Sequence, residues 1–104
     1  MKHYTGVKPL SVIRAQCAQQ GVAVDDSALR KYGIKDLYCG RSNRLWSDGT
    51  PFVSGTRPGY VRLNLALGYF EGMNMEGNFF SSADTTHAHE PWFQALLDFF
   101  YVEG

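Results

Sequence analysis

Tyr60-Val61-Arg62-Leu63-Asn64-Leu65-Ala66-Leu67-Gly68-Tyr69-Phe70 is the segment that speaks most plainly about architecture. Val61, Leu63, Leu65, Leu67 and Tyr69 are apolar, and Arg62, Asn64, Ala66 and Gly68 alternate with them. Successive side chains of a strand leave opposite faces, so this pattern predicts one long strand whose odd-numbered residues turn inward. On a helix the same positions would wrap around the axis and define no face.

Punctuation on either side supports a sheet. Ser47-Asp48-Gly49 and Thr56-Arg57-Pro58-Gly59 are turn signals, and Thr50 to Ser54 between them reads as a short strand, with Pro51 pointing to an edge position. Beyond the long strand, Glu71 to Asn78 holds further turn residues, and Phe79-Phe80 opens a return strand. A final helix begins at Pro91, which suits a first helical turn. Its apolar arc is wide: Trp92, Leu96 and Phe99 form one stripe and Phe93, Leu97 and Phe100 the next, which predicts burial on more than one side.

The amino-terminal part reads as helical. Leu10, Ile13 and Cys17 share a face, Ser11 is placed to cap the first amides, and Gly21 ends the helix. Val22-Ala23-Val24 is a short extended link. Asp25, Asp26 and Ser27 offer caps for a second helix over Ala28 to Tyr32, with Leu29 and Tyr32 on one face, Gly33 as its stop and Ile34 packing just beyond. The fold class expected from this order is α+β: a small antiparallel sheet covered by helices in a single domain, with a basic helical part over 1–46 and an acidic sheet plus terminal helix over 47–104.

Composition agrees with a chain that folds. Of 104 residues, 44% are hydrophobic and 19% charged, which excludes disorder throughout. Seven Phe, six Tyr and two Trp exceed what one small core can hold, so some rings are expected at a contact surface. No run approaches the roughly 20 apolar residues of a membrane span, and no leader is evident at the start, so the cytoplasm is expected. Cys17 and Cys39 form no CxxC pair and are expected as reduced thiols, Cys17 in the core. Net charge is zero, yet residues 1–46 carry eight Lys and Arg against three acids, and residues 47–104 carry two Arg against seven acids.

Three groups of residues are candidates for function. The first is a cationic and aromatic patch of Tyr38, Arg41, Arg44, Trp46, Arg57, Tyr60 and Arg62, since arginine forks suit carboxylate or phosphate and tyrosine joins apolar area to a polar handle. The second is Arg14, Arg30, Lys31 and Lys35 on the first two helices. That pair of helices resembles a small helix-turn-helix, which would imply nucleic-acid contact, although the link from Gly21 to Asp26 is long for that motif. The third is Asp84, His87, His89 and Glu90, whose side chains suit a metal or proton transfer but lack HxxxH or HExxH spacing.

No phosphate loop or nucleophile elbow is present, and no cofactor is expected. The leading expectation is a small non-enzymatic protein that binds another macromolecule through protein–protein contact, of the regulatory, inhibitory or accessory build found in phages and mobile elements. A homodimer is plausible because of the aromatic terminal helix, and no membrane partner is expected. A nucleic-acid-binding protein using the basic half, and a small metal-dependent enzyme using residues 84–90, are the alternatives.

Overall fold

The alternation that opens at Val61 breaks at Asn64. In the computed structural model, which describes residues 3–41, 60–73 and 79–104, one strand ends at Asn64 and the next begins at Tyr69. The Asn64 carboxamide oxygen accepts hydrogen bonds from the amides of Ala66 (3.0 Å) and Leu67 (2.8 Å), and the Gly68 amide bonds the Asn64 carbonyl at 2.9 Å. Gly68 has φ 75°, a left-handed conformation that costs a side-chain-bearing residue about 1–2 kcal/mol. The expected single strand over 60–70 is therefore a hairpin, and its turn reverses the parity. Val61 and Leu63 point inward as expected, but beyond the turn Phe70 and Gly72 are buried and Leu67 is 75% exposed.

In chain order the elements are β1 (Tyr4–Val7), α1 (Leu10–Gln20), β2 (Val22–Asp25), α2 (Ser27–Tyr32), β3 (Asp36–Arg41), β4 (Tyr60–Asn64), β5 (Tyr69–Met73), β6 (Phe79–Ser81), α3 (Pro91–Phe100) and β7 (Tyr101–Glu103). Strands β2-β3-β4-β5-β6 form a five-stranded antiparallel sheet in sequence order, and β1 pairs β7 in a separate antiparallel ribbon. The expected fold class, a small antiparallel sheet covered by helices, is corrected accordingly. Strand and helix take comparable shares of the described residues, the strands divide into two sheets, and α2 has no buried residue.

Several strands escaped the sequence pattern for physical reasons. The link Val22–Val24 is the edge strand β2, too short to show a period. Strand β3 is unremarkable in sequence, but its Leu37 and Cys39 are fully buried. Strands β1 and β7 are defined by pairing with each other across the whole length of the chain. Among the described residues, the basic part, 1–46, thus contributes three strands as well as helices, and β3 joins β4 of the acidic part. The expected strand over Thr50 to Ser54 and the turns around it lie outside the described residues.

Each row of strand partners shows which face is covered. Val24, Cys39, Val61, Gly72 and Phe80 form one inward row, and Asp25, Tyr38, Arg62, Glu71 and Ser81 form the adjacent outward row. Against the inward face lie Ile13 and Cys17 of α1 and Trp92, Phe93, Leu96, Phe99 and Phe100 of α3. Phe70 is the hub, its ring 5.5–6.2 Å from those of Phe80, Phe93, Phe100 and Tyr101. The wide arc of α3 is buried as expected.

Both glycine stops hold, with left-handed Gly21 and Gly33 closing α1 and α2. The caps hold in part. Pro9 is the residue before α1, so Ser11 lies inside that helix; Asp26 occupies the N-cap position of α2 without a side-chain cap bond, and the Asp25 carboxylate accepts the amide of Ser27, the first residue of α2, at 2.9 Å. Among the described residues no helix is long and apolar enough to cross a membrane.

Candidate protein-docking surface

One end of the five-stranded sheet gathers apolar side chains that the core does not take up. The turn out of α2 supplies two of them. The amides of Gly33 and Ile34 bond back to the carbonyls of Leu29 (3.1 Å) and Ala28 (3.4 Å), and the left-handed Gly33 swings the chain off the helix. Tyr32 is left 67% exposed and Ile34 48% exposed, so the expected packing of Ile34 beyond the helix stop is corrected. The Leu65 amide then bonds the Lys35 carbonyl at 2.7 Å and ties this loop to the β4–β5 turn, which presents Leu67. Leu67 cannot turn inward, because Asn64 and Gly68 have already reversed the chain beneath it.

The charge around these side chains is positive. Lys35 is exposed, and Lys31 places its ammonium 5.3 Å from the centroid of the Tyr32 ring, a cation–π contact. No acid occurs from Ser27 to Lys35 or from Asn64 to Gly68. The nearest carboxylate along the chain, Asp36, is engaged by Arg62 at 3.3 Å. Tyr32, Ile34 and Leu67 are thus exposed on two connections that the Leu65–Lys35 hydrogen bond joins, with Lys31 and Lys35 beside Tyr32 and Ile34 in the chain.

The expected cationic and aromatic patch fares differently. Arg44, Trp46 and Arg57 lie outside the described residues. Arg41 ends β3 and Tyr60 opens β4, where Gly40 is the partner of Tyr60, and only their backbone is described. Tyr38 and Arg62 are direct partners on the outward face. Arg62 is bound by Asp36 and by Glu71, its partner on β5. Burial opposes its charge, but the Tyr69 hydroxyl and the Asp36 carboxylate outweigh that and raise its proton affinity further. An arginine held between two acids completes a local network and offers little to an incoming anion.

The four basic residues of the helix-turn-helix expectation also divide. Arg14 and Arg30 converge on Asp26, Arg30 at 2.9 Å, and the Arg14 hydrogen bond, with help from Arg30, holds the Asp26 carboxyl below its usual range. Lys31 and Lys35 belong to the surface described above. At six residues, α2 is too short to bring several side chains to a groove.

Asp84, His87, His89 and Glu90 do not converge. Asp84 accepts hydrogen bonds from the Thr86 amide (2.9 Å) and hydroxyl (2.7 Å), and these lower its pKa. His87 Nδ1 lies 2.7 Å from Glu90 Oε2, which lowers the Glu90 pKa, and the His87 ring packs 5.3 Å from that of Trp92. His89 is exposed. Among the described residues no three His, Cys, Asp or Glu side chains are grouped to hold a metal.

A groove of about 430 Å³ runs between the β1–β7 ribbon and the β4–β5 turn, lined in part by Tyr4, Tyr69, Ser82, Leu97 and Tyr101. Its polar groups are committed to one another. The Phe70 amide donates to Ser82 Oγ (2.9 Å), Ser82 donates to the Tyr101 hydroxyl (2.7 Å), and Tyr101 donates to the Gly68 carbonyl (2.9 Å). With its proton given to a phenol, Ser82 has no base to activate it as a nucleophile. Tyr4 donates to Asp98 at 2.7 Å, and burial followed by that carboxylate raises its pKa. The relay fastens the end of α3 to the turn.

Sequence reasoning missed Tyr32, Ile34 and Leu67 as surface residues because all three fit an apolar period. The available signal was Asn64 with Gly68 four residues later, an Asx turn and a left-handed glycine inside a run of leucines. No family model, curated protein or solved structure matches the chain.

Proposed function

We propose that this chain is a non-enzymatic protein that acts by binding another protein, in a regulatory, inhibitory or accessory role. The observation that carries the reading is the exposure of Tyr32, Ile34 and Leu67 at one end of the sheet, bordered by Lys31 and Lys35. Covering a fully exposed Ile or Leu side chain gains about 1.5–3 kcal/mol, of which Ile34 and Leu67, 48% and 75% exposed, offer a partner the corresponding shares. The lysine border favours a partner with an acidic rim and guides its approach. Two free thiols, Cys17 and Cys39, support a reducing compartment such as the cytoplasm.

The test is affinity capture from extracts of cells that express the chain, with wild type beside the double variant Ile34→Asp/Leu67→Asp. Both positions are exposed, so the variant should keep the wild-type circular dichroism and melting temperature. A protein held by wild type and released at least tenfold by the variant is the expected result. Equal retention by the two would refute the reading. Retention of nucleic acid in its place, falling steeply with salt, would transfer the function to the basic helices.

A further inference from the structure

The groove between the β1–β7 ribbon and the β4–β5 turn is walled by tyrosines that the docking reading does not use. Tyr4 of β1 and Tyr101 of β7 stand with their ring centroids 6.0 Å apart and 53° between their planes. Tyr69, at the start of β5, and Leu97 of α3 also line the groove. Gly6 leaves the ribbon wall open, since a Cβ there would meet nothing within 4 Å.

Charge beside these rings is negative. The Tyr4 hydroxyl donates to Asp98 Oδ1 at 2.7 Å. Glu103 is the direct strand partner of Tyr4, and side chains of paired residues leave the same face of a ribbon. Burial first, and then Asp98 and Glu103, keep the Tyr4 phenol protonated above its ordinary range. Among the described residues, the lining holds no Lys, Arg or His. Lys8 spends its ammonium on Gln16 Oε1 and the Asp98 carbonyl, each at 2.7 Å, and Arg62, beside the Tyr69 hydroxyl, is held between Asp36 and Glu71. Hydroxyl protons are spent as well: Tyr4 on Asp98, Thr5 on the Val102 carbonyl, Ser82 on Tyr101, and Tyr101 on the Gly68 carbonyl. An anion entering the groove would meet carboxylates, with no cation in the lining and these protons already given away.

We propose that this groove binds a small quaternary ammonium compound, with its trimethylammonium group seated against Tyr4, Tyr69 and Tyr101. The face of an aromatic ring carries the negative part of its quadrupole and attracts a cation without any hydrogen bond. A phenol that donates its proton to a carboxylate, as Tyr4 does, has a more electron-rich ring. Methylation decides between ammonium ligands. A primary ammonium asks for several acceptors, whereas Asp98 Oδ1 and the Gly68 and Val102 carbonyls already accept bonds. A trimethylammonium group asks for none, and its methyls suit the tyrosine faces and Leu97. The volume of about 430 Å³ lies toward the small end of ligand pockets, about 300–1,000 Å³, which suits a free small molecule. The site stands apart from the docking reading and does not need it.

The experiment titrates the native full chain with choline and follows the choline methyl resonance by proton NMR. An upfield ring-current shift that saturates with a Kd on the order of 1 mM or tighter is the expected result. Two controls isolate the chemistry: the neutral carbon isostere, with tert-butyl in place of trimethylammonium, and ethanolamine, with a primary ammonium. Each should bind at least about tenfold more weakly than choline. Ala83→Arg places a cation at an exposed residue of the lining, so it should keep the wild-type melting temperature and weaken choline at least about fivefold. Tyr4→Phe keeps the ring and should bind more tightly than Tyr4→Leu, which loses it. No saturable shift, equal binding of either control, or choline affinity unchanged by Ala83→Arg would overturn the proposal. A trimethyllysine peptide or phosphatidylcholine vesicles binding more than about tenfold tighter than choline would overturn the assignment to a free small molecule. If Tyr4→Leu does not fold, the two controls and Ala83→Arg decide.

Discussion

Replacing Leu67 and Phe70, each by alanine, separates two incompatible registers of the same eleven residues. Under an uninterrupted alternation, Leu67 belongs to the core and Phe70 to the outer face. With the turn at Asn64–Gly68, Leu67 is 75% exposed and Phe70 is wholly buried among four aromatic rings. Phe70→Ala removes a ring that the surrounding side chains can only partly collapse to fill, at a cost of about 3–5 kcal/mol. Against the roughly 5–15 kcal/mol of a typical domain, that is a large share of total stability. Leu67→Ala removes atoms that already face water and should change stability by no more than about 0.5 kcal/mol. Equilibrium urea unfolding reads both. At a slope of about 2 kcal/mol per molar, a loss near 4 kcal/mol lowers the midpoint by about 2 M for Phe70→Ala and leaves it within about 0.3 M for Leu67→Ala, the slope unchanged in both. A Leu67→Ala loss above about 2 kcal/mol, or a Phe70→Ala loss below about 1 kcal/mol, would refute the hairpin and the exposure of Leu67 with it.

Ser82→Ala should cost about 1–3 kcal/mol, because it removes the acceptor of the Phe70 amide and the donor to the Tyr101 hydroxyl, which keeps only its bond to the Gly68 carbonyl; a change within about 0.5 kcal/mol in urea unfolding (about the noise of a surface substitution) would show that the relay holds nothing. Stability should also fall in acid. Asp25 and Asp26, held down chiefly by hydrogen bonds from Ser27 and Arg14, and Asp84 and Glu90, held down chiefly by those from Thr86 and His87, have folded pKa values below their ordinary 3.8 and 4.5. Each stabilises the fold fully above its ordinary value and loses that contribution as pH drops through the lower folded value. Thermal melts should therefore be level from neutrality to about pH 5 and decline below about pH 4.5, whereas a melting temperature that holds or rises down to pH 3 would contradict these pairings. At the alkaline end, burial raises Tyr4 and Tyr101 above their ordinary 10.0, so their contribution fades as pH climbs past that value.

Much of the fold was legible where local chemistry acts alone. Gly21 and Gly33 end their helices because a residue without Cβ takes the left-handed turn at little cost, and Pro91 opens α3 because its missing amide proton is not needed there. Val61 and Leu63 face the core because strand geometry alternates side chains whatever lies above them. Of the candidate surface, only the basic residues Lys31 and Lys35 stood out beforehand, and they were assigned to a different partner.

The rest depended on distant parts of the chain. Strands β1 and β7 are three or four residues each, too short to show a period, and exist because Tyr4 meets Glu103 and Val7 meets Tyr101. Cys17 and Cys39 enter one core only when α1 lies on the sheet. Leu67 carries the same apolar signal as Leu63, yet one is exposed and the other buried. Hydropathy records what a side chain prefers; which side chains obtain that environment is decided by where the backbone turns and which elements close over the sheet.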